Sequence, residues 1–370
     1  MAKHSGSIAS NTAIDSAAQA AAMVVSLLTG IVLANMVGAD GRGDYVFATS
    51  FAGMLMLGIT NFGLELGASV LVSKDPGRLP EVHTLIVLAC LGIAAVLAGV
   101  LSVAHGTIQK YLLPGINPVD LLALTLALPF WCYQYGCFGI LVGLGRVRSR
   151  AFFELTLNIA QNATVITILF AMRGESESTT LRLLILAFYG FIVVSSLLLP
   201  FLIGRRHGLW RLPGWALARD FYTYGFWVYV GNMGNNFGQR VDQYFVKQVS
   251  GDSSAFGIYT LATSLTARTR IFPQALTRSS YPRICALPQP EAAELVAACF
   301  RQMLALGLLI LLGGAMLSPL IPLVYSKAFG PAILPFIIFL AGRLFSNCSW
   351  MLANYFSGHL ARPKIPTIVN

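Results

Sequence analysis

Hydrophobic and polar positions along this chain sort into long blocks rather than short periods. Apolar runs near the roughly 20 residues that a bilayer-crossing helix needs recur at about 14–37, 45–72, 82–105, 118–144, 152–172, 183–203, 221–248, 254–282, 296–324 and 331–357. The breaks carry glycine, proline or charge: Asp40-Gly-Arg-Gly43, Lys74-Asp-Pro-Gly-Arg78, Pro114-Gly115, Arg146 to Arg150, Arg173 to Glu177, and Arg205 to Arg219. The pattern predicts an all-α, polytopic membrane protein. Its ten spans and short loops use up the chain and leave no room for a soluble domain.

Composition agrees. Charged residues are 11% of the 370, against about 25% in soluble domains, and mean hydropathy is +0.70. Too few charges are present to cover a water-exposed surface of this size. The six cysteines lie mostly in apolar runs. Cys132 and Cys137 do not have metal-ligand spacing, so the cysteines read as small packing residues. The net charge of +10 would suggest nucleic acid in a soluble protein. In a membrane protein it reflects basic cytoplasmic loops, and the expected partner is the lipid bilayer, with no nucleic acid.

Lysine and arginine also set the orientation. One set of alternate ends holds thirteen of them: Lys3, Lys74, Arg78, Arg146, Arg148, Arg150, Arg205, Arg206, Arg211, Arg219, Arg283, Arg362 and Lys364. The other holds six: Arg42, Lys110, Arg173, Arg182, Lys247 and Lys327. The richer set is expected in the cytoplasm together with the N-terminus.

An internal repeat emerges. Gly43-Asp-Tyr45-Val-Phe-Ala48-Thr49-Ser50 matches Gly257-Ile-Tyr259-Thr-Leu-Ala262-Thr263-Ser264 at five of eight positions, 214 residues further on. The second predicted span thus pairs with the eighth, making six helices one parallel repeat, as in some secondary transporters. The expected organisation is a six-helix bundle over 1–204, a basic cytoplasmic linker over 205–219, and a four-helix bundle over 220–370. The second copy stops two helices short of the first, so the pattern predicts twelve helices in the complete arrangement.

Ionisable groups inside a membrane are costly, and each is a site candidate. The seventh span carries Asn232, Asn235, Asn236, Gln239, Arg240 and Asp242. Asn232, Asn236 and Arg240 recur every four residues and are expected on one face. Interhelical hydrogen bonding over Gly234 and Gly238 is one reading; the wall of an aqueous cavity is the other, favoured by the arginine. The eighth span has Thr266, Arg270, Gln274 and Arg278 at the same spacing, with Arg268 on an adjacent face and a kinking Pro273. The tenth has Arg343, Asn347 and Asn354. The first half is quieter. Asn61 and Glu65 stand four apart, Glu154 is placed to pair with Arg150, and Asn158, Gln161 and Asn162 follow on the same span. Guanidinium groups hold phosphate by bidentate bonds, so the arginines point to an anionic, phosphorylated cargo. Buried carboxylates offer ion or proton coupling.

Other chemistry is absent from the sequence. No Gly-Lys pair occurs, which excludes a phosphate-binding GxxxxGK loop, and there is no HExxH. The five histidines are scattered over tails, loops and span edges. No cofactor and no catalytic group are expected.

The run Leu33-Ala-Asn-Met-Val-Gly38-Ala-Asp-Gly41-Arg-Gly43-Asp-Tyr45 resembles the start of polysaccharide (O-antigen type) flippases of the multidrug/oligosaccharidyl-lipid/polysaccharide (MOP) exporter superfamily. Asp242 followed by Gly251, Gly257 and Tyr259, then Tyr281-Pro282-Arg283, Gly143-Leu-Gly145-Arg146 and the stretch Gly358 to Pro363, fit the same family. The resemblance implies two pseudo-symmetric six-helix bundles in a bacterial inner membrane. It implies a flippase that moves undecaprenyl-pyrophosphate-linked oligosaccharides outward by alternating access, coupled to a proton or sodium gradient and working beside glycosyltransferases and a polysaccharide polymerase. Arg240, Arg268, Arg270 and Arg343, with Asn232, Asn236, Gln274 and Asn347, would hold the anionic head, and Asp242 and Glu65 would serve coupling. A cation-coupled drug exporter of the same superfamily would want an acidic cavity, which the arginines oppose. A membrane glycosyltransferase or polymerase would want a larger extracytoplasmic loop than this chain has. A non-transporting scaffold of envelope assembly is left open.

Overall fold

The computed structural model describes residues 5–203, 210–238, 240–269 and 288–354. Among them there is no strand. The helices are α1 (Ser5–Val46), α2 (Ala52–Thr60), α3 (Leu64–Lys74), α4 (Leu79–Thr107), α5 (Pro118–Gly143), α6 (Val147–Ala171), α7 (Glu177–Ile203), α8 (Trp215–Gly238), α9 (Val241–Ser250), α10 (Ser253–Arg268), α11 (Gln289–Leu317) and α12 (Ile333–Asn354). The protein is a polytopic all-α membrane protein. Seven helical stretches among the described residues are long and apolar enough to cross a bilayer. They correspond to eight of the ten expected spans, because the first two run together into one helical stretch over Ala17–Thr60. The seventh is split near Arg240, and of the eighth, expected over 254–282, only the part to 269 is among the described residues.

Glycine sets two of the breaks. Gly38 (φ 68°, ψ −167°) divides α1 into 5–37 and 39–46, a conformation open to glycine and strained for other residues. The span expected over 45–72 is interrupted again at Asn61–Gly63, where Phe62 and Gly63 have φ of 43° and 69°. A Cβ on Gly63 would stand 2.2 Å from the Gly225 carbonyl of α8, so the backbones touch only because neither residue has a side chain. The Tyr229 hydroxyl of α8 donates to the Ile59 carbonyl at 2.6 Å, supplying a partner where the break removes the intrahelical donor. Asn61 Oδ1 is buried there without a hydrogen-bond partner. Asn61 and Glu65 therefore do not share a regular helix face, contrary to their spacing. A π-helical turn over Phe47–Phe51 adds a further irregularity upstream.

Contacts divide the chain into two compact units, Met1–Phe256 and Gly257–Asn370. In the first, α3 lies against α5 along a stripe of small residues. A Cβ on Gly139 would fall 2.0 Å from the Glu65 carbonyl, and one on Gly143 would fall 2.7 Å from the Ser69 carbonyl. In lipid, where burial of apolar surface gives little drive, such close backbone approach is what holds helices together. Asn117 caps α5 by accepting from Val119 N at 2.9 Å, with Pro118 as the first helical residue. Cys90, Cys132 and Cys137 are free and buried in this core, as their apolar settings predict.

The α9–α10 turn docks on the end of α1 through a buried charge. Lys247 Nζ donates to Ser253 Oγ at 2.7 Å, pairs with Asp44 at 3.5 Å and sits 5.2 Å from the Phe47 ring centroid. Ser253 in turn donates to Asp44. Beneath lie Phe47, Phe51 and Phe256, all fully buried and in mutual ring contact.

In the second unit α11 packs on α12. A Cβ on Gly307 or Gly314 would meet Leu344 Cδ1 or Leu340 Cδ1 at 2.3 and 2.4 Å. Tyr259 meets the Phe339 ring edge-on at 5.3 Å. The two repeat copies bury equivalent positions: Gly43, Phe47 and Ala48 in one, Gly257, Leu261 and Ala262 in the other.

Candidate functional site

The polar interior of the first unit is built around Arg150. Gly139 lets α3 approach α5 closely enough to bring Glu65, in the first turn of α3, beside the start of α6. Arg150 Nη1 pairs with Glu65 Oε1 at 2.8 Å, and its Nε pairs with Glu154 Oε1 at 2.9 Å. The guanidinium also lies 5.3 Å from the Phe138 ring centroid, within cation–π range. One planar fork thus holds two carboxylates that would otherwise repel, a task suited to arginine and not to a point charge. The pairing of Arg150 with Glu154 follows the i, i+4 spacing. The pairing with Glu65 does not, and it makes Glu65, expected as a buried carboxylate that serves coupling, one side of an ion pair.

Further along α6, a cavity of about 240 Å³ opens between α5, α6 and α7. Gln134, Tyr135, Glu154, Asn158, Gln161 and Ser195 supply its polar groups, and Trp131 and Phe188 supply aromatic walls. Asn158 and Ser26 of α1 exchange hydrogen bonds at 3.3–3.4 Å, and Asn162 Nδ2 donates to the Asn158 carbonyl at 2.7 Å. Amides, hydroxyls and a carboxylate converge here on a space large enough for water, a cation or a hydroxyl-rich group. The sequence shows these residues as a polar row, but the weight of its arginines points to the other half.

The second-half candidates fall as follows. Asn232 and Asn236 lie on α8, which ends at Gly238. Arg240 sits in the turn before α9 with φ −127° and ψ −9°. The face predicted to continue from Asn232 through Asn236 to Arg240 is therefore broken before it reaches the arginine. Asp242 is in the first turn of α9, and its Oδ1 accepts from Gln243 N at 2.8 Å. Arg240 and Asp242 belong to the first unit. In the second, Arg268 is the last residue of α10 and lies near Tyr325. Arg343 and Asn347 are on α12, four apart on a continuous helix, and both half-buried. Arg270 and Gln274 lie outside the described residues.

His83, expected at a span edge, is buried, with Nε2 2.8 Å from the Tyr133 hydroxyl and Trp210 against its ring. Its position one turn into α4 was the only signal available. Among the described residues no group of three or more His, Cys, Asp or Glu could hold a metal.

Comparison with known proteins places this architecture. Residues 8–287 match the family described as polysaccharide biosynthesis protein, and the chain belongs to that family. No curated protein matches it. Among solved structures it is similar to an inward-facing multidrug resistance MATE family transporter of the MOP superfamily, with a TM-score of 0.65 at 14% identity, covering 94% of this chain and 83% of that one. A MOP superfamily transporter from Pyrococcus furiosus, described as having a binding pocket of reverse polarity, gives 0.56 at 15% identity over 97% and 84%. A Vibrio cholerae MATE transporter gives 0.57 at 13% over 97% and 84%. At these identities the likeness is one of fold: the protein has the fold of MOP superfamily transporters.

Proposed function

We propose that this protein is an exporter of the MOP superfamily that flips undecaprenyl-pyrophosphate-linked oligosaccharide from the cytoplasmic to the outer leaflet of a bacterial inner membrane. The observation that carries the reading is the match to the polysaccharide biosynthesis family over residues 8–287 in a chain with a transporter fold. Charged and amide groups inside its membrane helices support it, since such groups persist in lipid where they serve a polar cargo or a coupling ion. The fold also tolerates a change of pocket polarity, as the description of the Pyrococcus furiosus transporter states for that protein.

On this reading the halves are 1–204 and 220–370, joined by a cytoplasmic linker over 205–219. Arg240, Arg268, Arg270 and Arg343 bind the pyrophosphate, and Asn232, Asn236, Gln274 and Asn347 contribute hydrogen bonds. Asp242 and Glu65 take part in coupling to a proton or sodium gradient, Glu65 through its exchange with Arg150. Glycosyltransferases that build the unit and a polymerase that consumes it are the functional partners. The protein performs no bond chemistry of its own.

The test is surface polysaccharide in cells carrying single alanine substitutions. Arg240→Ala, Arg268→Ala, Arg270→Ala and Arg343→Ala are each expected to abolish or sharply reduce polymer at normal levels of inserted protein. Full polymer in all four would remove the cationic site. Efflux of cationic dyes with no effect on polymer would instead favour a drug exporter.

A further inference from the structure

A feature of the first unit that the site above does not use is an apolar groove of about 630 Å³ between α2, α4 and α5. It lies where the second half of α4 meets the core only through half-buried residues such as Leu97 and Leu101. The first half of that helix is buried at Leu79, Val82, Leu85, Ile86, Cys90 and Ile93. Beyond Ile93 none of its side chains is buried, and Val103 is 87% exposed. The groove is walled on one side by Leu88, Gly92, Leu97 and Leu101 of α4 and on the other by Leu121 and Leu128 of α5.

Two properties restrict what it can hold. The first is chemistry. Among the described lining residues only Thr60, Thr125 and Tyr222 bring side-chain polar oxygen or nitrogen. The Thr60 and Thr125 hydroxyls are turned back onto their own helices, donating to the Met56 and Leu121 carbonyls at 2.9 and 2.8 Å. A sugar or phosphate would find almost no partner here and would lose its hydration. The second is length. At the helical rise, the α4 wall from Leu88 to Leu101 covers about 20 Å, and the lining continues to Ile108 and Leu112. One leaflet of a bilayer is about 15 Å of hydrocarbon, half the total thickness. The groove therefore passes the bilayer midplane, which a phospholipid acyl chain confined to its own leaflet does not do. Its flank is also open to lipid, since Leu91, Val96 and Val100 are exposed.

We propose that this groove is a binding site for a long polyisoprenoid chain, the tail of the lipid-linked cargo, seated along α4 across both leaflets. The inference rests on the flippase reading for the identity of the cargo. A tail whose head changes leaflet needs an apolar path that is continuous through the midplane, and the groove provides one on the protein surface.

The glycines of α4 make the test clean. Gly92 lines the groove and Gly99 does not, and a Cβ at either would meet nothing within 4 Å. Gly92→Trp fills the groove, while Gly99→Trp adds the same bulk to the same helix outside it. The full chain, in vesicles of phosphatidylethanolamine and phosphatidylglycerol, is photolabelled with a diazirine-tagged C55 polyprenyl phosphate, a C15 analogue and a diazirine phosphatidylglycerol, and the labelled peptides are mapped. The C55 probe is expected to label α4 and α5 at both the Leu88 and the Leu121 ends. Gly92→Trp should lower that labelling about tenfold, equivalent to about 1.4 kcal/mol, and Gly99→Trp should leave it unchanged. Labelling by phosphatidylglycerol equal to that by C55, or no effect of Gly92→Trp, would overturn the proposal. Because binding is read without transport, the two readings separate. C55 labelling in a protein that supports no polysaccharide export refutes the flippase and keeps the groove; export without labelling does the reverse.

Discussion

Arg150 is the residue on which the polar interior of the first unit depends. Its fork takes one carboxylate from α3 and one from α6, so it joins two helices as well as neutralising charge. The side chains of Arg150, Glu65 and Glu154 are 25%, 30% and 35% exposed, so solvent screens the interaction and its worth is modest. Removing the guanidinium in Arg150→Met leaves Glu65 and Glu154 repelling each other, at an expected cost of about 1 kcal/mol. Arg150→Lys keeps the charge but cannot address two carboxylates in the plane of one fork, and it is expected to recover only part of the loss. Glu65→Gln in the Arg150→Met background should restore some stability by removing the repulsion. The apparent Tm of the detergent-solubilised protein reads this series, and a Tm in Arg150→Met equal to that of the parent would dispose of the bridging role.

At the scale of elements, the informative features are the places where helices stop. The docking of the α9–α10 turn on α1 depends on Lys247, whose ammonium is buried yet has Ser253, Asp44 and the Phe47 ring around it. Lys247→Met keeps the apolar stem and deletes the partner of Asp44. Residues 241–256 should then exchange amide hydrogens at least several-fold faster, with α5 unchanged; unaltered exchange would show that Phe47, Phe51 and Phe256 suffice. The sequence makes part of this level legible. Long apolar runs and charged breaks locate the ends of α4 to α7 to within three residues, except that α6 and α7 start five and six residues earlier than expected, because length and composition alone decide membrane crossing. The breaks at Asn61–Gly63 and at Arg240 were not legible. Both lie within runs that remain apolar or helix-compatible, and the first packs against a neighbour, Gly225, 162 residues away in sequence. The same holds for Glu65 and Arg150. Glu65 was visible as an intramembrane charge and Arg150 as a charge at a cytoplasmic end, but their meeting depends on Gly139, a residue with no chemistry of its own.

At the scale of the whole molecule, contacts within the first unit sort its loops to two ends and so test the alternation of charge along the chain. At one end Gly41 adjoins Glu177, Asp44 adjoins Lys247, and Tyr244 donates to the Tyr111 carbonyl. This gathers the neighbourhoods of Arg42, Lys110, Arg173 and Lys247, the poorer set of basic ends. At the other, Arg146 donates to the Leu202 carbonyl at 3.3 Å, and Arg211 meets Glu81 at 3.3 Å and Thr84 Oγ1 through its backbone N at 3.2 Å. Arg146 and Arg211, and Arg78 beside Glu81, belong to the richer set. Sorting by contact and sorting by alternation agree, although neither uses the other. Contact alone does not say which end faces the cytoplasm; the excess of lysine and arginine gives the expectation that the richer end does, because basic loops are retained on that side. Glu175 and Ser149 are exposed, one at each end, and the described cysteines are buried. In intact cells Glu175→Cys is therefore expected to react with a membrane-impermeant maleimide above the level of the parent protein. Ser149→Cys should react only after permeabilisation. The opposite pattern would invert the protein in the membrane and reverse the direction in which a cargo head bound near the basic end could be carried.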